Sequence, residues 1–221
     1  MARSLAASTG YPVALPNYRL TPREPTPDNA LYHPAHAKDV LQFLEFVLLW
    51  HKDNGGRLPR KPKKLFLIGH SCAAHMLCTV FLCMPGDSDG LCPSDELAQS
   101  TIAVIMSEGI YDIDLLLSNF PKYRTWFIEN TFGRKDTFES VSAFRAAIDP
   151  EIRHIHWFII RSKGDTLVDE HQSEGMYGFL KEKSCLVTKS FNTLEEGHDD
   201  ILKGPRYVDI IDRYIKGLVA A

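Results

Sequence analysis

Short continuous runs of apolar residues alternate along this chain with longer segments whose apolar positions recur every three or four residues. Residues 65–68 (Leu-Phe-Leu-Ile), 101–106 (Thr-Ile-Ala-Val-Ile-Met), 154–161 (His-Ile-His-Trp-Phe-Ile-Ile-Arg) and 185–191 read as strands. Runs of this length between turn residues fit strands buried on both faces. Residues 11–16, Tyr-Pro-Val-Ala-Leu-Pro, read as a further short buried strand. Helical periodicity covers residues 35–52, with Val40, Leu44, Val47 and Leu48 on one face. Lys52-Asp53-Asn54-Gly55-Gly56 would end that helix with turn and C-cap chemistry. A helix from residue 72 to Met84 is apolar nearly all round, which argues for a central, buried position. Residues 85–100 read as a polar loop, and residues 170–182 and 204–219 as helices. Alternating strands and helices predict a mostly parallel α/β sheet with helices on both faces.

The alternation breaks over residues 109–150. That stretch is helical in character and rich in aromatic residues: Tyr111, Phe120, Tyr123, Trp126, Phe127, Phe132 and Phe138. An insertion after a sheet strand is where α/β proteins place a lid over a site, and the rings can equally form a small satellite core. A chain of 221 residues suits one substantial core, so residues 1–221 are expected to form a single domain carrying this lid-like insertion.

Composition narrows the function classes. Hydrophobic residues make up 44% and charged residues 24%, an ordinary globular balance, and a net charge of −3 leaves no basic footprint for nucleic acid. The richest apolar stretch, residues 40–50, is interrupted by Gln42 and Glu45 and falls short of a membrane span. Residues 1–8 lack the apolar core of a signal peptide. Five cysteines, odd in number and without a CxxC pair, suit reduced thiols in the cytoplasm. The expected partner is a small-molecule substrate, without nucleic acid or membrane; a homodimer is compatible with the sequence.

The chemistry-bearing motif is Gly69-His70-Ser71-Cys72-Ala73, set between the strand ending at Ile68 and the apolar helix. A serine at a sharp strand-to-helix turn has the context of a nucleophile elbow. Serine hydroxyl is a poor nucleophile without a base to take its proton and donors to hold the oxyanion. Downstream, Asp165 follows the strand ending at Arg161, and His198 follows the strand ending near Phe191. Both fall at the carboxyl ends of parallel strands, on the same sheet edge as Ser71, where α/β sheets bind ligands. Ser71, Asp165 and His198 are therefore the candidate catalytic residues, with the Cys72 backbone N–H as an oxyanion donor. Asp112, after the strand at 101–106, is an alternative acid. Asp199 and Asp200 lie too close to His198 in sequence to approach its ring easily. His70 and His75 flank the serine without a strand-end loop to aim them, and His33, His36, His154 and His156 read as structural.

Several stretches in order resemble esterase- and lipase-like α/β hydrolases: Tyr18-Arg19-Leu20-Thr21-Pro22, His33-Pro34-Ala35-His36 with Asp39, the Gly-His-Ser elbow, Gly109-Ile110-Tyr111-Asp112, Gly164-Asp165 and Gly197-His198. The Gly-Ile-Tyr-Asp stretch, with Tyr123-Arg124 and Phe132-Gly133, is most similar to the kynurenine formamidase branch. The resemblance implies an α/β-hydrolase fold, Ser71 as nucleophile, His198 as base and Asp165 as acid. It further implies hydrolysis of the formamide of N-formylkynurenine or of aryl and short acyl esters, with no metal or organic cofactor.

Two departures bear on activity. Ala73 stands where the elbow pattern has its last glycine. No His-Gly-Gly occurs in the sequence, although the resembled enzymes carry a strand and a His-Gly-Gly oxyanion loop upstream of the Tyr-Arg-Leu segment. The fold is thus expected to be N-terminally truncated, with residues 1–8 forming the tail of a helix that follows the missing strand. A general carboxylesterase and a non-catalytic fragment are the alternative readings.

Overall fold

The computed structural model describes residues 1–53, 64–85 and 91–220. One parallel sheet holds β1 (Leu65–His70), β2 (Thr101–Ser107), β3 (His156–Ser162) and β4 (Leu186–Leu194), in that spatial order. Around it lie α1 (Ala2–Thr9), α2 (Ala35–Asp53), α3 (Cys72–Phe81), α4 (Asp95–Ser100), α5 (Ile113–Asn119), α6 (Glu129–Phe132), α7 (Glu170–Glu182) and α8 (Pro205–Ala220).

Strand residues alternate between the two faces, and each face has its own core. Val104, Met106, Trp157 and Ile159 pack with Leu44 of α2, Leu77 of α3 and Leu180 of α7. Ile105, Phe158 and Ile160 point the other way, onto Leu5 of α1 and Ile211 and Ile215 of α8. Ile105 is wholly buried, and burial of such a side chain contributes about 2 kcal/mol. These two cores hold the carboxyl ends of the strands as a fixed platform. β4, at one edge of the sheet, departs from the continuous apolar pattern with exposed Thr188, Lys189, Asn192 and Thr193. Its Lys189 ammonium lies 4.4 Å from the Tyr177 ring centroid and 4.9 Å from that of Phe191, a charge that disfavours further edge pairing.

The expected strand at residues 11–16 does not form. Those residues form no regular element and do not join the sheet, and Val13 and Leu15 are 38% and 67% exposed. An apolar run becomes a strand only when another strand completes its ladder, and Pro12 and Pro16 each lack an N–H. The segment is fixed further on, where Arg19 makes a two-point ion pair with Asp39 of α2 (2.9 and 2.7 Å).

The helix after Ser71 stops at Phe81, short of Met84, because Leu82 turns extended and Cys83 exchanges two backbone hydrogen bonds with Ala147 (3.1 and 2.9 Å). The polar stretch 85–100 contains α4, capped by the Ser94 hydroxyl, which accepts the Leu97 N–H. Of the turn expected at residues 52–56, residues 54–56 lie outside the described residues.

The insertion at 109–150 is made of α5, a π-helical turn (Arg124–Ile128), α6 and short 3-10 turns. Ile113, Leu116, Ile128 and Phe138 form a satellite core that also takes in Val168, from the loop after β3. The insertion is thereby anchored to the sheet edge that carries Asp165.

Candidate active site

β1 ends at His70, and the chain turns at once into α3. Ser71 sits at that turn with φ 56° and ψ −121°, a left-handed conformation that non-glycine residues adopt only where the surroundings enforce it. The Ser71 N–H donates to the Ser107 carbonyl on β2 (2.9 Å), and the Ser71 carbonyl accepts from the Ala74 N–H (3.1 Å). Gly69 is required by crowding: a Cβ there would lie 2.8 Å from Leu77 Cδ1 and 2.9 Å from the Ala73 carbonyl. Ala73 is tolerated because the close approach comes from its backbone. The Ser71 hydroxyl does not cap α3, so its lone pairs are not spent on the helix. The Cys72 N–H, in the first turn of α3, has no intrahelical acceptor and adds to the positive end of the helix dipole.

Asp165 and His198 are brought together. His198 Nδ1–H donates to Asp165 Oδ2 at 2.7 Å, with the two side chains 8% and 1% exposed. Asp165 Oδ1 accepts the backbone N–H groups of Leu167 (2.8 Å) and Val168 (3.0 Å). Burial pushes the Asp165 carboxyl up, but hydrogen bonds from His198, Glu108 and these two amides outweigh it and leave the group below the ordinary carboxylate range. A carboxylate so held fixes the proton on Nδ1 and leaves Nε2 as the basic nitrogen of the imidazole.

The two loops are locked to each other through Gly164 and Ser162. A Cβ on Gly164 would be driven into the Glu195 carbonyl oxygen, and Ser162 Oγ donates to the Glu196 carbonyl (2.5 Å). Among the described residues, Ser71 Oγ makes no hydrogen bond to His198. The serine turn nevertheless adjoins His198, since the rings of His70 and His198 lie 4.7 Å apart. Apo hydroxyl–imidazole contacts are commonly long and close with substrate bound.

The alternative acid, Asp112, is engaged elsewhere. It caps α5 by accepting the Leu115 N–H (2.7 Å) and accepts a hydrogen bond from Ser142 Oγ. His75 is buried one helical turn beyond the serine, against His33 and Phe132. His36 pairs with Thr21 (2.9 Å), and His154 with the Ala98 carbonyl (3.1 Å).

Glu108 is the site residue that sequence reasoning missed. It follows β2 with φ 47°, is buried, and accepts the Ser162 N–H at 2.6 Å. Burial first, and then its hydrogen bond and charge contact with Asp165, push its carboxyl up to about 9. It is therefore protonated at neutral pH, beside Asp165. The available signal was an ionisable residue directly after the apolar run 101–106, at the same sheet edge as Asp165. At the elbow, the Tyr18 hydroxyl lies 3.8 Å from Cys72 Sγ and is pushed up to about 12 by burial and the thiol.

No family model matches the chain. Two curated relatives are similar in sequence, both named kynurenine formamidase. The one from Meyerozyma guilliermondii is 26% identical over 214 residues, covering 93% of this chain and 74% of the relative. The one from Eremothecium gossypii is 29% identical over 147 residues, covering 63% of this chain and 54% of the relative. Among solved structures, an esterase/lipase from an uncultured bacterium superposes with a TM-score of 0.67 at 14% identity, over 100% of this chain and 70% of that one. A carboxyl esterase from Tuber melanosporum gives 0.67 at 15% identity, over 98% and 71%. The esterase of Pyrobaculum calidifontis gives 0.66 at 16%, over 100% and 70%. At these identities the shared property is the fold.

Proposed function

We propose that this chain, an α/β hydrolase close in sequence to the kynurenine formamidase branch, is a serine hydrolase that cleaves a small aryl formamide or ester through an acyl-enzyme. The observation that carries the reading is the buried His198–Asp165 pair beside a serine held at positive φ. Ser71 Oγ attacks the substrate carbonyl carbon while its proton passes to His198 Nε2. Asp165 stabilises the imidazolium, and the Cys72 N–H donates to the developing oxyanion. The carbon–nitrogen or carbon–oxygen bond then breaks, and the leaving amine or alcohol takes the proton from His198. Water, deprotonated by His198, attacks the acyl carbon, releases formate or a carboxylic acid, and returns the proton to Ser71.

The aryl preference rests on the insertion. Phe120, Tyr123, Trp126 and Phe127 form a ring cluster, and the Tyr123 hydroxyl donates to the Leu167 carbonyl two residues beyond the acid (3.1 Å). An aromatic wall tied to the acid loop suits a planar aryl group. No described helix is long and apolar enough to cross a membrane.

The test is turnover of N-formylkynurenine and of an activated aryl acetate by the 221-residue chain and its Ser71→Ala variant. Loss of one oxyanion donor typically costs about 10²–10³ in rate, and an amide leaving group leans harder on that stabilisation. With the Cys72 N–H as the donor placed at the elbow, ester cleavage should exceed formamide cleavage, and both should vanish without Ser71. General ester hydrolysis with no formamide cleavage would favour a carboxylesterase. Turnover unaffected by Ser71→Ala would refute Ser71 as the nucleophile, and no turnover on either substrate would favour a non-catalytic chain.

A further inference from the structure

His70, within the serine turn, uses only one of its ring nitrogens. Nδ1 lies 3.0 Å from Ser107 Oγ, which in turn lies 2.8 Å from the Tyr207 hydroxyl. The other nitrogen, Nε2, is buried without a hydrogen-bond partner among the described residues, and its nearest charged atom is Asp199 Oδ1 at 3.6 Å. His198 mirrors this arrangement, with Nδ1 on Asp165 and its second nitrogen left over. One ligand atom from each of His70, His198 and Asp199 lies within 4.8 Å of the other two.

We infer that His70, His198 and Asp199 form a binding site for a divalent transition-metal ion of the zinc class, and that occupancy reversibly blocks the active site. Two imidazole nitrogens and one carboxylate oxygen are a three-ligand set that zinc takes in four-coordinate sites, with water in the fourth position. Ligand atoms around a tetrahedral ion bound at about 2.0–2.1 Å stand a little over 3 Å apart. The His70–Asp199 pair is already near that spacing. Asp199, whose side chain is 75% exposed, can rotate to close the remainder. The supporting shell has the form that fixes metal-binding histidines: each ring engages a carboxylate or hydroxyl through Nδ1, which directs Nε2 at the ion. Asp165 plays that part for His198, and the Ser107–Tyr207 pair plays it for His70.

Binding would occupy the nitrogen that the proposed mechanism needs for the Ser71 proton. Inhibition therefore rests on the serine-hydrolase reading, whereas binding does not. The experiment separates the two. Cobalt(II) is titrated into the protein and followed by its visible d–d absorption, then displaced with zinc. In parallel, the rate at which a fluorophosphonate labels Ser71 is measured with and without zinc. The expected result is one cobalt per chain, displaced by zinc, with affinity about 10-fold or more weaker in Asp199→Ala and His70→Asn. Zinc should slow labelling of the parent chain and leave Asp199→Ala, whose altered side chain is on the surface, largely unaffected at the same concentration. Cobalt binding that is absent, or as tight in Asp199→Ala as in the parent, overturns the site. Metal binding with the expected variant losses but no Ser71 labelling under any condition supports the site and removes the hydrolase reading instead.

Discussion

Replacing Glu108 by Gln should flatten the fall of stability with rising pH. In the folded chain burial first, and then contact with Asp165, move this carboxyl from an ordinary 4.5 up to about 9, against the opposing pull of the Ser162 N–H that it accepts. Between those two values the unfolded chain has released the proton and the folded chain has kept it. The folded state thus binds more protons, and stability falls as pH rises. Glu108's contribution is fully present below about pH 4.5 and is lost progressively as pH climbs towards 9. Each pH unit in that window costs about 1.4 kcal/mol, so the parent loses about 4 kcal/mol from this group between about pH 5 and pH 8. That is a large share of a typical domain stability of about 5–15 kcal/mol. Gln keeps a carbonyl oxygen for the Ser162 N–H but has no proton to lose. Urea denaturation of both proteins across that range reads the difference directly. The stability of Glu108→Gln minus that of the parent should grow by several kcal/mol towards pH 8. A difference constant within about 1 kcal/mol would refute a protonated Glu108 beside Asp165.

Asp165→Asn should leave the fold in place and reduce ester turnover by about 10⁴-fold, because an amide no longer holds the His198 proton on Nδ1; steady-state kinetics on an activated aryl acetate checks this. Gly164→Ala should destabilise the chain by about 1–3 kcal/mol, read by thermal unfolding, since its methyl meets the Glu195 carbonyl and must part the acid and base loops. The same variant should lose turnover out of proportion to its loss of stability. Ester cleavage should remain faster than N-formylkynurenine cleavage in the 221-residue chain, as measured by initial rates at matched substrate concentrations.

The four parallel strands and the helices α2, α3, α7 and α8 were legible because each encodes its burial locally, in apolar runs or in a helical stripe. The loops carrying Asp165 and His198 were legible for a related reason: glycine-containing segments directly after apolar strands fall at one sheet edge whatever the details of packing. Residues 11–16 failed the same logic. Their pattern is that of a strand, but pairing depends on a partner that no local pattern reveals. The early end of α3 has a similar origin, in a Cys83–Ala147 pairing across more than sixty residues of chain. Glu108 was illegible as a supporting acid because its protonation comes from tertiary burial beside Asp165. His70 read as a bystander because only the folded chain shows which of its nitrogens lacks a partner.

The central claim is that Ser71 is a nucleophile activated by His198, and covalent labelling tests it most directly. Incubation with a fluorophosphonate probe, followed by intact-mass measurement and peptide mapping, should place a single adduct on Ser71. The adduct should be absent from Ser71→Ala and formed far more slowly by His198→Ala. An adduct on another serine, or labelling of Ser71 at the same rate without His198, would contradict it.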